Sequence, residues 1–436
     1  MGGAAADERE TRMVRLLEQE MASLPIPDEL AVEIFLRVPS PADLARASAA
    51  CVSFRGLIAD RAFLRRYRRL HPPPLLGFLE YDHKVFHPAV PPHPSAPAAS
   101  AAAVAADFSF SFLPAPATDW RVQDVRDGRV LLDRAPQHDI NRYRVVFPEL
   151  VVCDPLHRRY LLLPPIPAHL ASTVKRQLWI KRHRYCETFL APHGVGDSAE
   201  AAEETSFRVV WMAQCMTKLV AFVFSSSTGQ WRAIPSQSWS DLFAGLLSLT
   251  RLALFSWRQY AYGCFYWVTD WRERLLVLDT REMEFSVAES PLEARGLPGV
   301  AIAIVEAGEG MPGILIRAKD TEYVNYTIRR NNCGSSSQWQ LEKTISLDSR
   351  YLFIDSTGRH LFLYQCPSRS LDARCFSLDL KTFQLETVFV SNSFAQIAYA
   401  YSNFPPSLLS TPTVSSDLEY SSDLFVCMFQ LPFQGS

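Results

Sequence analysis

The spacing of apolar residues changes along the chain. Between residues 24 and 67 they recur three and four positions apart, for example at Leu30, Ile34 and Val38, and this is the period of an α-helix. Pro39 interrupts the pattern, which then resumes. We therefore predict a cluster of short helices with a continuous apolar surface. About forty residues cannot bury that many large side chains internally, so part of this surface should face a partner.

The rest of the chain has short apolar runs typical of β-strands, such as 208–212 and 219–224. A weak repeat joins a turn residue to a bulky residue six positions later. Its members are Asp154 and Tyr160, Ser225 and Trp231, Asp279 and Phe285, Cys333 and Trp339, and Asp379 and Leu385. Asp and Ser stabilise turns through their side chains, and we expect each bulky residue to return to the core. One helical window, 239–256, interrupts the strands.

Proline and alanine divide the chain. His71 is followed by three prolines, and residues 87–106 are rich in Ala and Pro, so we expect a stiff break and then a disordered loop. The predicted organisation is a disordered tail (1–22), a helical module (23–71), a linker with one strand and a low-complexity loop (72–106), and a β domain (107–436). The fold class is thus multidomain α + β, with a small helical module followed by a large mainly-β domain.

Charge and composition restrict the function. The chain has 436 residues and a net charge of −2, so we expect neither nucleic acid nor a membrane surface as a partner. Nine cysteines are scattered without a C-x-x-C pair, which suits the reducing nucleus or cytoplasm. The N-terminal residues lack the apolar core of a signal peptide, and no run of eighteen apolar residues occurs.

The helical segment resembles the F-box. The residues that carry the resemblance are Leu24-Pro25, Leu30, Glu33-Ile34, Leu36-Arg37, Pro39, Leu44, Cys51, Arg55, Leu57-Ile58 and Phe63. Phe35 and Phe54 replace the usual Leu and Trp, but both remain large and apolar. The resemblance implies docking on a Skp-type adaptor, and through it on a cullin. The implied adaptor-binding residues are Leu24, Pro25, Leu30, Ile34, Phe35, Leu36, Pro39, Leu44, Cys51, Phe54 and Ile58.

The β domain resembles the associated domain of plant F-box proteins. The similar phrases are VVCDPLHRRYLLLPPIP at 151–167 and DGRVLLDR at 127–134. That domain is kelch-like, and the turn residues recur every 46 to 71 positions, close to the roughly fifty residues of a kelch blade. We therefore expect an irregular β-propeller, with a β-sandwich as the alternative.

Together the two resemblances imply a non-catalytic substrate-recognition subunit of an SCF-type (Skp–cullin–F-box) ubiquitin ligase that binds a target protein. Two alternatives stay open. One is an adaptor-binding scaffold without ubiquitin transfer, and the other is a propeller that acts as an enzyme or binds a glycan. We expect no catalytic residue, cofactor or metal. Exposed Trp, Tyr and Arg are the preferred anchors of interfaces, and the candidates are Trp120, Trp179, Arg182, Trp257, Tyr260, Trp271 and Arg272.

Two motifs point weakly to other chemistry. Gly308, Gly310 and Gly313 match the G-x-G-x-x-G string, but a strand-like sequence follows where a dinucleotide site needs a helix, so we predict a hairpin connection. His83 and His87 have helical metal-ligand spacing, but the neighbouring prolines argue against a helix and favour ordinary loop histidines.

Overall fold

The computed structural model describes residues 26–39, 41–71, 73–81, 84–134, 147–178, 185–192, 206–215, 217–243, 255–269, 274–295, 300–308, 310–330, 338–358, 360–365, 373–391 and 398–403. These residues form two compact units, one before Leu75 and one from Leu75 onward. The predicted tail at 1–22 lies outside the described residues.

The first unit contains four short helices. They are α1 (Asp28–Leu36), α2 (Pro41–Ala50), α3 (Val52–Ala59) and α4 (Arg61–Leu70). Side chains cap two of the helices at their N-termini. Cys51 precedes α3 and its Sγ accepts from the Phe54 amide, and Asp60 precedes α4 and its Oδ1 accepts from the Phe63 amide. Such caps satisfy amides that have no partner within the helix. The chain can therefore begin a new helix within one residue of ending the last.

One small core holds the helices together. Its buried members are Ala31, Phe35, Leu36, Leu44, Ile58, Phe63 and Tyr67. The Tyr67 hydroxyl donates to the carbonyl of Val38 at 3.0 Å, and the His71 ring lies 2.7 Å from the carbonyl of Leu36. These contacts fix the end of α4 against the end of α1.

The second unit is a β-propeller, as the sequence predicts, and it has six blades, a number that the sequence leaves open. Blade 1 contains β3 (Trp120–Arg126), β4 (Arg129–Arg134), β5 (Glu149–Asp154) and β6 (Arg159–Leu162), and blade 2 contains β7 (Tyr185–Ala191), β8 (Arg208–Gln214), β9 (Lys218–Ser225) and β10 (Gln230–Ser238). Blade 3 contains β11 (Phe255–Ala261), β12 (Cys264–Thr269), β13 (Arg274–Asp279) and β14 (Glu284–Glu289), and blade 4 contains β15 (Ala301–Glu306), β16 (Pro312–Arg317), β17 (Tyr323–Arg330) and β18 (Gln338–Ser346). Blade 5 contains β19 (Tyr351–Thr357), β20 (His360–Gln365), β21 (Ala373–Asp379) and β22 (Leu385–Ser391).

The sixth blade joins the two ends of the propeller sequence. Its strands are β1 (Leu75–Glu80), β2 (Phe86–Pro88) and β23 (Ala398–Ser402), in the order β2-β1-β23. At Gly77, which has φ +154°, an added Cβ would lie 2.1 Å from the carbonyl oxygen of His87. Only glycine therefore allows β1 to approach β2 so closely.

Apolar clusters fill the spaces between neighbouring blades. Phe189 of blade 2 meets Phe265 of blade 3 at a ring distance of 4.8 Å, and Phe78 of blade 6 meets Phe362 of blade 5 at 5.1 Å. The first strands of the blades contact one another around the centre. This ring of sheets rules out the sandwich alternative, in which only two sheets share a core.

The weak repeat marks the turn between the third and fourth strands of a blade. Asp154, Asp279 and Asp379 each end a third strand, and one carboxylate oxygen of each accepts from two backbone amides of the turn. Four residues after each turn residue the backbone has positive φ, at Arg158, Gly229, Met283 and Phe383. Cys333 lies outside the described residues.

The expected burial of the bulky residue is only partly right. Trp231 and Phe285 are buried, whereas Tyr160 and Leu385 are exposed. The fourth strand is the outermost of each blade. A side chain there reaches a core only when a neighbouring element covers it.

Two predictions of local structure were wrong. Residues 87–106 are not a disordered loop, because they contain the end of β2 and helix α5 (Ala96–Ala105). Ala99 and Ala102 of α5 are buried in the core shared by blades 5, 6 and 1. Alanine favours helix and permits close packing. Residues 239–256 are not one helix either: α7 (Trp239–Leu242) is a single turn, and β11 begins at Phe255. A further helix, α6 (Ala168–Leu178), follows blade 1.

Candidate functional site

The helical module exposes large apolar side chains on α1. Leu30 is 52% exposed and Ile34 is 45% exposed, and their spacing of four residues puts them on the same face of the helix. Ile26, four residues before Leu30, is also exposed, as is Val52 at the start of α3. We call Ile26, Leu30 and Ile34 the apolar stripe of α1.

The predicted adaptor-binding residues separate into two groups. Phe35, Leu36, Leu44 and Ile58 are buried in the core of the module, whereas Leu30, Ile34 and Pro39 are exposed. Phe54 is half-buried and packs edge-on against Phe35 with ring centroids 4.8 Å apart. Cys51 is half-buried and caps α3. Leu24 and Pro25 lie outside the described residues.

This division follows from the sequence of α1, DELAVEIFL. Its apolar residues do not form a single stripe: Ala31, Phe35 and Leu36 face the core, while Leu30 and Ile34 point outward. A helix that is apolar on two sides needs cover on both. The four-helix core covers only one of these sides.

Tyr67, in the core of the module, does not ionise near neutral pH. Burial, and then the negative charge of Asp43, raise the pKa of Tyr67 to about 12. Tyr67 is therefore neutral at physiological pH and keeps its hydrogen bond to Val38. This hydrogen bond should therefore not depend on pH near neutrality.

A second site candidate is a charged cluster on the innermost strands of the propeller. The Arg258 guanidinium on β11 lies 2.7 Å from Asp124 on β3 and 3.5 Å from Glu187 on β7. The second oxygen of Asp124 accepts from the Leu190 amide at 2.8 Å, and Glu187 also accepts from the indole of Trp267. Burial lowers the pKa of Arg258, but the two carboxylates outweigh it and raise the pKa overall. One cation thus links blades 1, 2 and 3.

β-Bulges place charged residues in this cluster. The register shifts between Val122 and Asp124 on β3, between Ser256 and Gln259 on β11, and between Phe353 and Asp355 on β19. Bulges redirect side chains, and each of these lies beside Asp124, Arg258 or Asp355. The sequence pattern gives no sign of them, because a bulge breaks the alternation used to recognise strands.

Asp355 on β19 lies near Asp124 and forms no ion pair with the described part of the chain. Its carboxylate accepts from the amides of Ser356 at 2.7 Å and Ala400 at 3.4 Å. The residue keeps some exposed surface, but burial of its carboxyl, together with the nearby charge of Asp124, raises the pKa to about 6. Arg126, which lies over the ring of Tyr260 at 4.2 Å, opposes this shift only in part.

The interface anchors suggested by the sequence are not brought together. Trp120 is fully buried and Tyr260 is covered by Arg126, so neither is an exposed anchor. The structure does not describe the remaining candidates, which are Trp179, Arg182, Trp271, Arg272 and the side chain of Trp257.

The two weak motifs have structural roles where they are described. Gly308 and Gly310 lie in the hairpin between β15 and β16, and Gly313 is in β16, so the prediction of a hairpin connection is confirmed. His87 stacks on Phe389 and lies 2.8 Å from Glu80; His83 is not described. In the described part of the chain, no three His, Cys, Asp or Glu side chains form a set of metal ligands. None of the helices given above has the length and apolar character needed to cross a membrane.

Comparison with known proteins gives one match by sequence. Residues 25–70 match the family model described as F-box-like. No curated protein matches the chain. The matched segment contains all four helices of the first unit and the apolar stripe of α1.

Solved structures resemble the propeller only distantly. An oligogalacturonate lyase in complex with manganese is 9% identical, with 62% of each chain covered and a TM-score of 0.31. A chain of a nidogen/laminin complex is 11% identical, with 65% of this chain and 85% of that chain covered and a TM-score of 0.33. A puromycin-hydrolyzing peptidase of Mycobacterium tuberculosis is 12% identical, with 63% and 39% covered and a TM-score of 0.32. The chain thus spans under two thirds of the lyase and peptidase chains, and likeness at this level says nothing about activity. What the comparisons and the fold together establish is an F-box-like domain at residues 25–70 followed by a six-bladed β-propeller.

Proposed function

We propose that this chain is the substrate-recognition subunit of an SCF-type ubiquitin ligase. The F-box-like domain docks on a Skp-type adaptor and so on a cullin, and the propeller binds a target protein. The observation that carries the proposal is the exposed pair Leu30 and Ile34 within the segment that matches the F-box-like model. Each of these side chains is already about half covered, so burying the rest of it contributes roughly 1 kcal/mol, which favours a protein partner at this face.

The chain itself supplies no catalytic group in this function. Holding a target beside the ubiquitin-loaded enzyme raises the effective concentration of a target lysine near the reactive thioester. A rigid ring of blades suits this role, because loops on a stable scaffold can present a binding surface. The cysteine usage suits the nucleus or cytoplasm, and we place the protein there.

Substitutions at the exposed face test the proposal directly. Ile34→Asp and Leu30→Asp put a charge where an apolar contact is needed, so each should reduce capture of a purified Skp-type adaptor by at least about tenfold. The matched control is Val104→Asp, at an 85% exposed apolar residue of α5 in the propeller, and it should bind like the wild type. Circular dichroism should be unchanged in all three. Full adaptor binding by Ile34→Asp would refute the assignment.

Leu44→Asp is a poor version of this test. Leu44 is 1% exposed, so a charge there would unfold the module and abolish binding for an uninformative reason.

Ligation assays separate a receptor from a scaffold. Affinity capture with the proteasome blocked should compare the full chain with a chain lacking residues 24–67. Proteins retained by both forms are substrate candidates, and proteins lost with the deletion are ligase components. A reconstituted ligase that fails to ubiquitinate every protein retained by both forms would favour the scaffold alternative.

A further inference from the structure

Arg317 occupies an unusual place between blades 4 and 5. It is the last residue of β16 and pairs in register with Ala301, the first residue of β15. Its guanidinium lies over the ring of Phe353 on β19 at 5.1 Å. The side chain therefore closes the core between these blades at the end of the propeller where the innermost strands begin.

One nitrogen of the Arg317 guanidinium is buried without a hydrogen-bond partner. Arg317 is 7% exposed, and its Nη1 atom is buried with no hydrogen-bond acceptor. Among the described residues no acidic side chain forms an ion pair with it, and its guanidinium lies over the ring of Phe353. Burial lowers the pKa of Arg317, and no neighbouring charge opposes that shift.

Such an arrangement is costly for the folded chain. A buried charge with no counter-ion carries a large desolvation penalty, and apolar replacement of buried charges is often stabilising. A ring contact offsets only part of this penalty. An anion could accept from the guanidinium fork and offset the remainder.

Arg129 provides an internal comparison. It is also buried, has an unpartnered Nε atom and lies over the ring of Phe207. Burial lowers the pKa of Arg129 to about 10. However, the charges of Asp127 and Asp154 lie close enough to oppose part of this shift. Arg129 is thus compensated by its own chain, and Arg317 is not.

We propose that Arg317 anchors an oxyanion site that accepts a carboxylate or phosphate group from a segment of the target protein. The guanidinium is planar and offers paired donors that match either group. Phe353 fixes the plane of the fork before the anion arrives, which lowers the entropy cost of binding. The inference rests on the proposed function, because it assigns the chemistry by which the propeller recognises its target.

Simple anions test the site on the purified full-length chain. Thermal unfolding is followed with about 20 mM sodium phosphate, sodium acetate or sodium chloride at equal ionic strength. Phosphate or acetate should raise the melting temperature of the propeller by about 1 °C or more relative to chloride. A response to phosphate alone assigns a phosphoryl group, and a response to acetate assigns a carboxylate. No response to either anion overturns the proposal without any variant.

Two variants locate the effect. Arg317→Met keeps the aliphatic stem over Phe353 and removes the charge. It should abolish the anion response and should melt in chloride at or above the wild-type temperature. Arg330→Met, at an exposed arginine paired with Glu342, should keep the full response. An unchanged response in Arg317→Met, or a melting temperature well below wild type in chloride, would contradict the proposal.

Adaptor capture keeps the two proposals separate. Arg317→Met should bind the Skp-type adaptor like the wild type, because Arg317 belongs to the propeller. If Ile34→Asp also retains adaptor binding, the ligase function fails while the oxyanion site can still be present. If Arg317→Met keeps the anion response, the oxyanion site fails while the ligase function stands.

Discussion

In the helical module, α1 buries Phe35 and Leu36 on one side and exposes Leu30 and Ile34 on the other. In the propeller, the blades press their large apolar residues against one another and bring charges to the innermost strands. The module has more apolar surface than a core of seven buried residues can use. The comparison teaches that the module is too small to cover both apolar sides of α1, whereas neighbouring blades cover one another's large apolar residues.

The two regions also use charge differently. The Arg66–Glu33 pair of the module is about half exposed on both sides, whereas both side chains of the Arg258–Asp124 pair are at most 11% exposed. Exposed pairs contribute little to stability. Removing one partner of a buried pair is expensive, because it leaves the other charge buried alone. Three substitutions test these differences in packing and in charge between the module and the propeller.

The largest effect is expected at Arg258. Arg258→Met leaves Asp124 and Glu187 without their cation and should lower the free energy of unfolding of the propeller by about 4 kcal/mol. Chemical denaturation followed by tryptophan fluorescence measures it. The triple variant Arg258→Met, Asp124→Asn, Glu187→Gln should recover most of the loss, because no uncompensated charge remains. A single variant as stable as the wild type would show that the cluster does not couple the blades.

The next effect is expected in the core of the module. Ile58 is fully buried, so Ile58→Ala should leave a cavity and cost about 3 kcal/mol. Val52→Ala, at a residue 82% exposed, is the matched control and should change stability by less than about 0.5 kcal/mol. Differential scanning calorimetry should show the loss in the transition of the module. Equal effects of the two substitutions would mean that the core is not where the structure puts it.

The smallest effect is expected at Asp355 and has the opposite sign. Its pKa is raised from 3.8 to about 6 in the folded protein. Between these values the folded state binds a proton that the unfolded state has released, so the contribution of Asp355 becomes more favourable as the pH falls through about 6. At neutral pH the buried carboxylate therefore opposes folding.

Asp355→Asn should consequently stabilise the propeller by about 2 kcal/mol near neutral pH. The gain should disappear below about pH 4, where Asp355 is protonated in both states. Urea denaturation across this range tests the sign. Asp348→Asn, at an exposed carboxylate paired with Arg350, serves as the control. A destabilised Asp355→Asn variant at neutral pH would show that the carboxylate has a compensating cation.

The sequence was sufficient to predict features that depend on local chemistry. The helices of the module follow from apolar spacing, and the turn repeat follows from Asp residues whose side chains cap turns in three blades. The same reasoning failed at Ala96–Ala105. An alanine-rich segment has nothing large to bury, yet it packs as a helix when a neighbouring sheet offers a surface for small side chains.

Long-range contacts could not be predicted from the sequence. Leu30 and Phe35 are equally apolar in the sequence, but only the assembled helices decide which of them is buried. Asp124 and Arg258 are 134 positions apart and meet because both lie on innermost strands, where β-bulges redirect the side chains. Likewise, nothing in the sequence distinguishes Arg317 from the other arginines. Only the folded structure shows that it is buried without an acidic neighbour.

The pairing of β23 with β1 constrains how a cell can make this protein. Roughly 320 residues separate Leu75 from Ala398, and a ribosome that adds 5 to 20 residues per second needs on the order of 15 to 65 s to translate them. During that time the first two strands of the closing blade have been synthesised but their partner has not. Premature termination before Ala398 would release an open ring with an unpaired edge, a form prone to aggregation and suited to removal by quality control.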